Sequence, residues 1–261
     1  MNIQELFGVK DKVVVITGGS RGIGLMIARG FVTNGAKVYI SSRTKEVCEA
    51  VADELSKAGT CISIPADMST SEGRESLINE ITQREDKLDV LVNNAGTAWG
   101  SSFEDHPEKG YDRVMDLNVK SMFFLTQGFM PLLSKNDFSN PSRIINIGSI
   151  DGLTVPAWDN SAYSISKAAV HQMTKVLAGK ISKHAITVNA IAPGPFESQM
   201  TEVLLSQARA EVEKICPLQR IGVDEDMAGI ALFLASKAGA YLNGTVTPVD
   251  GGIHLKSQNL V

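Results

Sequence analysis

Val13–Gly24 reads VVVITGGSRGIG, and this stretch decides the fold of the chain. Four consecutive β-branched residues predict a strand that is buried on both faces, and the amphipathic run Ile23–Phe31 predicts a helix directly after it. The glycines of the intervening turn allow the backbone to approach a phosphate closely, and the helix N-terminus adds free N–H groups and a positive dipole end. The stretch is therefore typical of a phosphate-binding turn, with a plain glycine-rich turn as the alternative.

The length and composition favour a single domain spanning residues 1–261. Hydrophobic residues make up 43% of the 261 residues, which is enough for one large core. The net charge of -4 argues against a nucleic-acid partner, because nucleic-acid-binding domains usually carry a basic face. No apolar run approaches the length of a membrane span, and the N-terminal MNIQELFGVKDK lacks the apolar core of a signal peptide. We therefore expect a cytoplasmic protein with no membrane partner.

The cysteines and histidines show no metal-site spacing. The three cysteines are odd in number and form no C-x-x-C pair, and the four histidines share no ligand spacing with them or with one another. We expect reduced cysteines and no bound metal at these positions, which are Cys48, Cys61, Cys216, His106, His171, His184 and His254.

Predicted strands and helices alternate along the whole chain. This alternation is typical of an α/β fold with a doubly wound parallel sheet of the Rossmann type, in which ligands gather at the carboxyl ends of the strands. Long helices are predicted over Tyr111–Ser134 and Ser161–Lys183. The region of about 195–221, after the sixth strand, mixes Pro, Gly and Ser with short helical runs. It is consistent with a substrate lid or with a plain surface excursion.

Three polar residues are candidates for chemistry. Tyr163 and Lys167 are four residues apart on a predicted helix, so their side chains share one face. A lysine near a phenol favours the phenolate and lowers the pKa of the tyrosine, as a general acid near neutral pH requires. Ser149 follows a predicted buried strand, where a hydroxyl can stabilise negative charge that develops on a substrate oxygen. The alternatives are a surface Tyr–Lys contact and a serine that caps a turn.

Taken together, the motifs closely resemble those of the classical short-chain dehydrogenase/reductase family. Their order and spacing match over nearly the whole chain, and jointly they are highly specific. The matching residues are Thr17–Gly24 (TGGSRGIG), Asn93–Gly96 (NNAG), Asn118, Ser149, Tyr163, Lys167 and the pair Pro193 and Gly194.

The resemblance implies hydride transfer between a nicotinamide cofactor and a carbonyl or alcohol carbon. Tyr163 would be the acid–base residue and Ser149 would hold the substrate oxygen. Lys167 would bind the nicotinamide ribose and lower the pKa of Tyr163, and Asn118 would anchor a water in a proton relay. The alternative for Asn118 is an asparagine that bends its helix or bonds to the backbone within it.

The charged side chains after the second strand and in the glycine turn indicate which nicotinamide cofactor is bound. The second strand ends in Ser41–Thr44 (SSRT), without the carboxylate that NAD users of the family usually place there. Arg43, together with Arg21 of the glycine turn, suits a ribose 2′-phosphate, so NADP(H) is expected, unless both arginines are simply solvated. The resemblance places Asp67 at the adenine and Asn94 beside the adenosine. The full expected cofactor site is Gly18, Ser20, Arg21, Gly22, Ile23, Gly24, Arg43, Asp67, Asn94, Ala95, Gly96, Tyr163, Lys167, Pro193 and Gly194.

Within the family, the chain is most similar to the 3-oxoacyl reductases, in particular the type linked to rhamnolipid synthesis. The expected reaction is therefore reduction of a 3-oxoacyl thioester, carried on acyl carrier protein or coenzyme A. Arginines that often accompany carrier-protein substrates are replaced here by Pro131 and His184. Another ketone or secondary alcohol (a sugar, steroid or diketone) is the alternative substrate. The residues that would line an acyl pocket are Trp99, Trp158, Phe196 and Met200.

Two further expectations concern assembly and catalytic competence. The apolar segments Met122–Leu125 and Val170–Leu177 suit the helix pairs through which members of the family commonly form homotetramers, although core burial gives the same composition.

A non-catalytic NADP(H)-binding sensor is the alternative to an enzyme. Such a sensor would not need Ser149, Tyr163 and Lys167 together.

Overall fold

The computed structural model describes residues 2–156 and 159–255. In this part of the chain seven parallel strands form one sheet in the order β3-β2-β1-β4-β5-β6-β7. The sheet order reverses direction beside β1, and a crevice forms at such a point outside the carboxyl ends of the strands. The strands are β1 Val13–Thr17, β2 Lys37–Ser41, β3 Thr60–Ser63, β4 Val90–Asn93, β5 Ser142–Ile147, β6 Ile186–Pro193 and β7 Val246–Val249.

Helices cover both faces of the sheet, as a parallel sheet requires. One core contains buried residues of α2, α3 and α9, and the other contains buried residues of α4, α6 and α7. The helices are α1 Ile3–Phe7, α2 Gly22–Thr33, α3 Lys45–Leu55, α4 Ser71–Arg84, α5 Glu108–Met115, α6 Ser121–Leu133, α7 Ser161–Ile181, α8 Glu202–Ile215 and α9 Asp224–Ala235.

The central strands confirm the prediction of a doubly wound sheet. Every residue of β1, β4, β5 and β6 is buried. The strands are rich in Val and Ile because both of their faces meet a layer of helices. No helix in residues 2–156 and 159–255 is long and apolar enough to cross a membrane.

The helix predicted over Tyr111–Ser134 is present, but one of its turns is π-helical. The chain forms α5, then a π-helical turn at Asp116–Lys120, then α6. A π-helical turn inserts one extra residue without interrupting the helical direction, so the apolar pattern continues through it. The insertion changes which face of the helix Asn118 occupies.

The region predicted as a lid leaves the sheet and returns to it. Phe196 and Gly222 pair in an isolated parallel bridge, so the two ends of the excursion lie side by side. Between them α8 forms its own small core with Leu205, Val212 and Ile221. The excursion is thus a helical flap next to the end of β6, and its opening and closing remain a prediction.

Candidate active site

A cavity of about 540 Å³ lies at the carboxyl ends of the central strands. The topology brings the turns after β1, β4, β5 and β6 to this edge together with the start of α7 and the flap. All predicted site residues except Gly24 and Asn118 line it, namely Gly18, Ser20, Arg21, Gly22, Ile23, Arg43, Asp67, Asn94, Ala95, Gly96, Ser149, Tyr163, Lys167, Pro193 and Gly194.

The glycine turn is shaped for an anion. Gly18 and Gly22 have φ of +67° and +50°, a region that favours glycine. Helix α2 begins at Gly22, and no side chain caps its first N–H groups. These donors and the positive end of the helix dipole therefore remain available to a phosphate.

Gly24 supports this turn from outside the cavity. A Cβ at Gly24 would lie 2.2 Å from the carbonyl oxygen of Gly18 and 2.5 Å from Nδ2 of Asn94. That amide donates to the carbonyl oxygens of Thr17 at 2.9 Å and Gly18 at 3.1 Å. Asn94 thus lines the cavity while bracing the end of β1.

We expect Gly24→Ala to destabilise the protein by about 1–3 kcal/mol, because the new methyl group would displace both the Gly18 backbone and the Asn94 side chain. Gly229→Ala is the matched control, since Gly229 lies inside α9 and a Cβ there would meet nothing within 4 Å. The control is expected to gain about 0.5–1 kcal/mol from the better helix propensity of alanine. Urea unfolding measures both free energies, and a Gly24→Ala protein as stable as the wild type would contradict the close packing described.

The end of the cavity near β2 carries unpaired donors. Arg43 is exposed and has no hydrogen-bond or ion-pair partner among the described residues. Oγ of Ser41 is buried, and it too lacks a hydrogen-bond partner there. Arg21 donates from Nη1 to Oε1 of Gln199 in the flap. An arginine and a buried hydroxyl without partners fit the phosphorylated ribose that the sequence predicts.

Asp67 lines the same end but is held within its own turn. Its Oδ1 accepts hydrogen bonds from the backbone N–H of Ser69 at 2.9 Å and from the Ser69 hydroxyl at 2.7 Å. The side chain therefore shapes the loop after β3. Its contact with an adenine stays a prediction.

Ser149 caps a turn, which is the alternative role that its sequence position allowed, and it also lines the cavity. The residue is buried at the end of β5 and lines the cavity. Its Oγ accepts the N–H of Asp151 at 3.1 Å and so starts the short turn Ile150–Gly152. A hydroxyl oxygen that accepts this bond still has its proton to donate to a ligand.

Tyr163 lies on the first turn of α7 and lines the cavity beside Ser149. Burial raises the pKa of Tyr163 to about 12, and a hydrogen bond with Ser149 opposes this rise. Burial determines the direction of this shift, and the lowering of the Tyr163 pKa by Lys167 stays a prediction. The loss of water around the phenol outweighs the neighbouring groups that favour a phenolate.

Lys167 is placed below the tyrosine ring. Its Nζ lies 5.4 Å from the centroid of the Tyr163 ring and donates to the carbonyl oxygen of Ile147 at 2.8 Å. Burial lowers the pKa of Lys167 to about 8, with an opposing contribution from Asp151. The lysine is thus still largely protonated at neutral pH and is tied to the end of β5.

Asn118 does not reach the cavity wall. It is fully buried in the π-helical turn, where its Oδ1 accepts the N–H of Thr97 at 2.8 Å. Its Nδ2 donates to the carbonyl oxygen of Thr97 and to Oγ of Ser166, both at 2.9 Å. The side chain ties the loop after β4 to α7, so its bonds leave its own helix, unlike those of the backbone-bonding alternative. A role in anchoring water stays a prediction.

The expected acyl-pocket residues divide into three groups. Phe196 and Met200 line the cavity. Trp99 instead packs against α5, because a Cβ at Gly110 would lie 2.9 Å from its ring and Arg113 lies 5.8 Å from the ring centroid. Trp158 lies outside the described residues.

Several lining residues were not predicted from the sequence. Ser41 was within reach of sequence reasoning, because it ends a strand at the ligand-binding edge. Arg113 and Leu117 come from the helix whose phase the π-helical turn alters. The remaining unpredicted lining residues belong to strand ends and the flap and include Thr97, Ala98, Ile147, Gly148, Ser198, Gln199 and Thr201.

Comparison with known proteins gives matches over almost the entire chain. Residues 18–254 match the family model described as enoyl-(acyl carrier protein) reductase. A rhamnolipids biosynthesis 3-oxoacyl-[acyl-carrier-protein] reductase from Pseudomonas aeruginosa is 44% identical over 252 residues, which cover 95% of this chain and 98% of the relative.

Two solved structures share the fold. The Pseudomonas aeruginosa RhlG/NADP active-site complex has a TM-score of 0.93 and 43% identity, covering 97% of this chain and 100% of that one. A gluconate 5-dehydrogenase from Burkholderia cenocepacia, in complex with NADP and tartrate, has a TM-score of 0.91 and 27% identity, covering 98% and 100%. With these matches and the site described above, the chain belongs to the short-chain dehydrogenase/reductase family of oxidoreductases.

Proposed function

We propose that the protein is an NADPH-dependent carbonyl reductase that converts a 3-oxoacyl thioester into the 3-hydroxyacyl thioester. The observation that carries this proposal is the convergence of Ser149, Tyr163 and Lys167 on the cavity that also contains the glycine turn. A binding protein without catalysis would need the glycine turn but not this polar triplet. The name of the 44% identical relative supports the same reaction.

NADP(H) fits the residues of the cavity. The uncapped start of α2 would hold the pyrophosphate, and Arg21, Arg43 and Ser41 would hold the phosphorylated ribose. When bound, the reduced nicotinamide supplies the hydride for the carbonyl carbon. Both similar solved structures reported above are NADP complexes, which supports this assignment.

The polar triplet of Ser149, Tyr163 and Lys167 would stabilise the negative charge on the substrate oxygen and supply the proton that this oxygen takes. Ser149 would donate a hydrogen bond to the substrate oxygen, where negative charge develops during reduction. The raised pKa of Tyr163 keeps its phenol protonated at neutral pH, so the phenol has a proton to give to that oxygen. The ammonium of Lys167 would bind the nicotinamide ribose and stabilise the phenolate that the proton transfer leaves.

An acyl thioester suits the apolar part of the cavity. Phe196, Met200 and Leu117 line it, and they come from the flap and from the π-helical turn. Because the flap contributes apolar side chains to the pocket, the acyl chain of a bound substrate would lie along an apolar surface that extends away from the polar triplet. Lys180 and Lys183 are exposed near the end of α7, close in sequence to His184, and would be candidate positive charges for a carrier protein.

A substrate panel tests this assignment. We expect NADPH oxidation with acetoacetyl-CoA and with a longer 3-oxoacyl-CoA, with a higher kcat/KM for the longer chain. The same acyl group on acyl carrier protein then shows which carrier is preferred. Oxidation of gluconate with NADP+ and no reduction of any thioester would overturn the thioester assignment in favour of a sugar substrate. Cofactor binding with no turnover of any substrate would favour the sensor.

We further propose a cytoplasmic homotetramer formed through α6 and α7. Phe123 and Phe124 on α6 are each 43% exposed, and Ile165 and Val176 on α7 are 50% and 47% exposed. Apolar side chains in such number on two neighbouring helices are typical of a surface that a second copy covers. The three buried free cysteines suit a reducing compartment. Light scattering after gel filtration measures the assembly, and a monomer mass would contradict it.

A further inference from the structure

Gln199 is a residue of the flap that reaches the glycine turn. Its Oε1 accepts a hydrogen bond from Nη1 of Arg21, and both residues line the cavity. A second contact lies beside this bond, because a Cβ at Gly22 would be 3.1 Å from Cβ of Ser198. The flap therefore meets the start of α2 at the turn that is assigned to the cofactor phosphates.

A compact turn fixes the backbone around Gln199. Oγ1 of Thr201 donates to the carbonyl oxygen of Phe196 at 2.6 Å and accepts the N–H of Ser198 at 3.0 Å. Phe196 is buried and is bridged to Gly222 at the other end of the flap. Gln199 thus extends from a turn that is anchored on both sides of it, so its amide has a defined place opposite the glycine turn.

The carboxylates of the flap do not pair with Arg21. Oε1 of Glu197 accepts from Nη1 of Arg209 at 2.7 Å, and Arg209 also pairs with Glu213 at 3.1 Å. Glu202 lines a neighbouring cavity of about 410 Å³ instead. Within residues 2–156 and 159–255, Arg21 has no carboxylate at ion-pair distance. The flap thus offers Arg21 a neutral amide, and the full positive charge of the guanidinium remains available to a phosphate.

A single bond to Gln199 leaves most of the guanidinium free. This group presents several N–H donors in one planar fork, and no other described residue accepts from it in Arg21. A free arginine side chain loses much rotamer freedom when a ligand fixes it, and a side chain that is already held loses less. Gln199 can therefore prepare Arg21 for a phosphate while the remaining donors bind it.

We propose that Gln199 is a positioning residue for NADPH selectivity, which holds Arg21 in place for the ribose 2′-phosphate without neutralising its charge. This inference rests on the proposed role of Arg21 in binding that phosphate. NADH lacks the phosphate, so the contribution of Gln199 applies to NADPH alone. One uncharged residue of the flap thus contributes to the choice between the two cofactors.

Equilibrium binding to the purified protein tests the inference without any substrate. Fluorescence titration gives the dissociation constants of NADPH and NADH, and calorimetry gives that of adenosine 2′,5′-bisphosphate, which has the phosphorylated ribose but no nicotinamide. We expect Gln199→Ala to weaken binding of NADPH and of the bisphosphate about 3–10-fold, and to change NADH binding by less than about twofold. Gln199 is exposed, so its substitution is not expected to disturb the fold.

Gln199→Glu is expected to have the larger effect on selectivity. A carboxylate at this position would pair with Arg21 and would also repel the incoming phosphate. We expect the ratio of the NADPH to the NADH dissociation constant to rise about 10–100-fold. Gln83→Ala and Gln83→Glu are the matched controls, because Gln83 is exposed on α4 and does not line the cavity. Both controls should leave the ratio unchanged.

A double-mutant cycle separates positioning of Arg21 from any other role of the flap. In an Arg21→Ala background, Gln199→Ala should have no further effect on NADPH binding. The proposal would be overturned by equal weakening of NADPH and NADH in Gln199→Ala, by unchanged or tighter NADPH binding, or by a full effect in the Arg21→Ala background. If Arg21→Ala alone leaves NADPH binding unchanged, the proposed phosphate role of Arg21 fails and the inference fails with it.

Discussion

Tyr163→Phe is expected to lower kcat for carbonyl reduction by roughly 10²–10⁴-fold, because the variant loses the positioned proton donor. Tyr163 is the phenol that lines the cavity next to Ser149, and its ring keeps its place above Lys167 when only the hydroxyl is removed. NADPH binding should therefore be retained. Steady-state NADPH oxidation and fluorescence titration of the cofactor measure the two quantities separately.

Tyr241→Phe is the matched control for this experiment. Tyr241 is fully exposed, so the same loss of a hydroxyl is expected to leave kcat unchanged. If Tyr163→Phe kept more than about a tenth of the wild-type kcat, a different proton donor would have to be sought. The assignment of Tyr163 as the proton donor would then be refuted, whereas the assignment of the cofactor site would still stand.

Removing both Arg21 and Arg43 is expected to weaken NADPH binding by at least about 100-fold and to leave NADH binding nearly unchanged. A hydrogen bond from a charged donor contributes about 1.5–3 kcal/mol, so each arginine should account for roughly 10–100-fold. Both side chains line the cavity, and Arg43 has no partner of its own among the described residues. The measurement is the dissociation constant of each cofactor for the single and double alanine variants.

Arg84→Ala controls for the general loss of positive charge. Arg84 is an exposed residue at the end of α4 that pairs with Glu80 at 2.7 Å, and it does not line the cavity. Its removal is expected to leave both dissociation constants unchanged. An unaltered ratio of NADPH to NADH affinity in the double variant would refute the phosphate-binding role of the two arginines.

Much of the architecture was predictable because it depends on local patterns. The alternation of strands and helices predicted a parallel sheet, and a parallel sheet collects all strand ends with ligand-binding turns at one edge. Residues as distant in sequence as Gly18, Ser149 and Gly194 can therefore be assigned to one site from the sequence alone.

What could not be predicted depends on three-dimensional packing. The π-helical turn at Asp116–Lys120 leaves the hydrophobic pattern intact, so the sequence did not reveal that Asn118 would tie Thr97 to Ser166. Burial is the largest influence on the pKa of Tyr163, and the spacing of two side chains on a helix says nothing about the water excluded around them.

The most direct test of the account follows the transferred hydrogen. The purified protein is incubated with acetoacetyl-CoA and NADPH that carries deuterium at the transferable position of the nicotinamide, and the product is analysed by mass spectrometry. We predict one 3-hydroxybutyryl-CoA per NADPH consumed, with one deuterium at the hydroxyl-bearing carbon. Absence of this product, or product without deuterium, would contradict the central claim that this cavity transfers a hydride from NADPH to a 3-oxoacyl thioester.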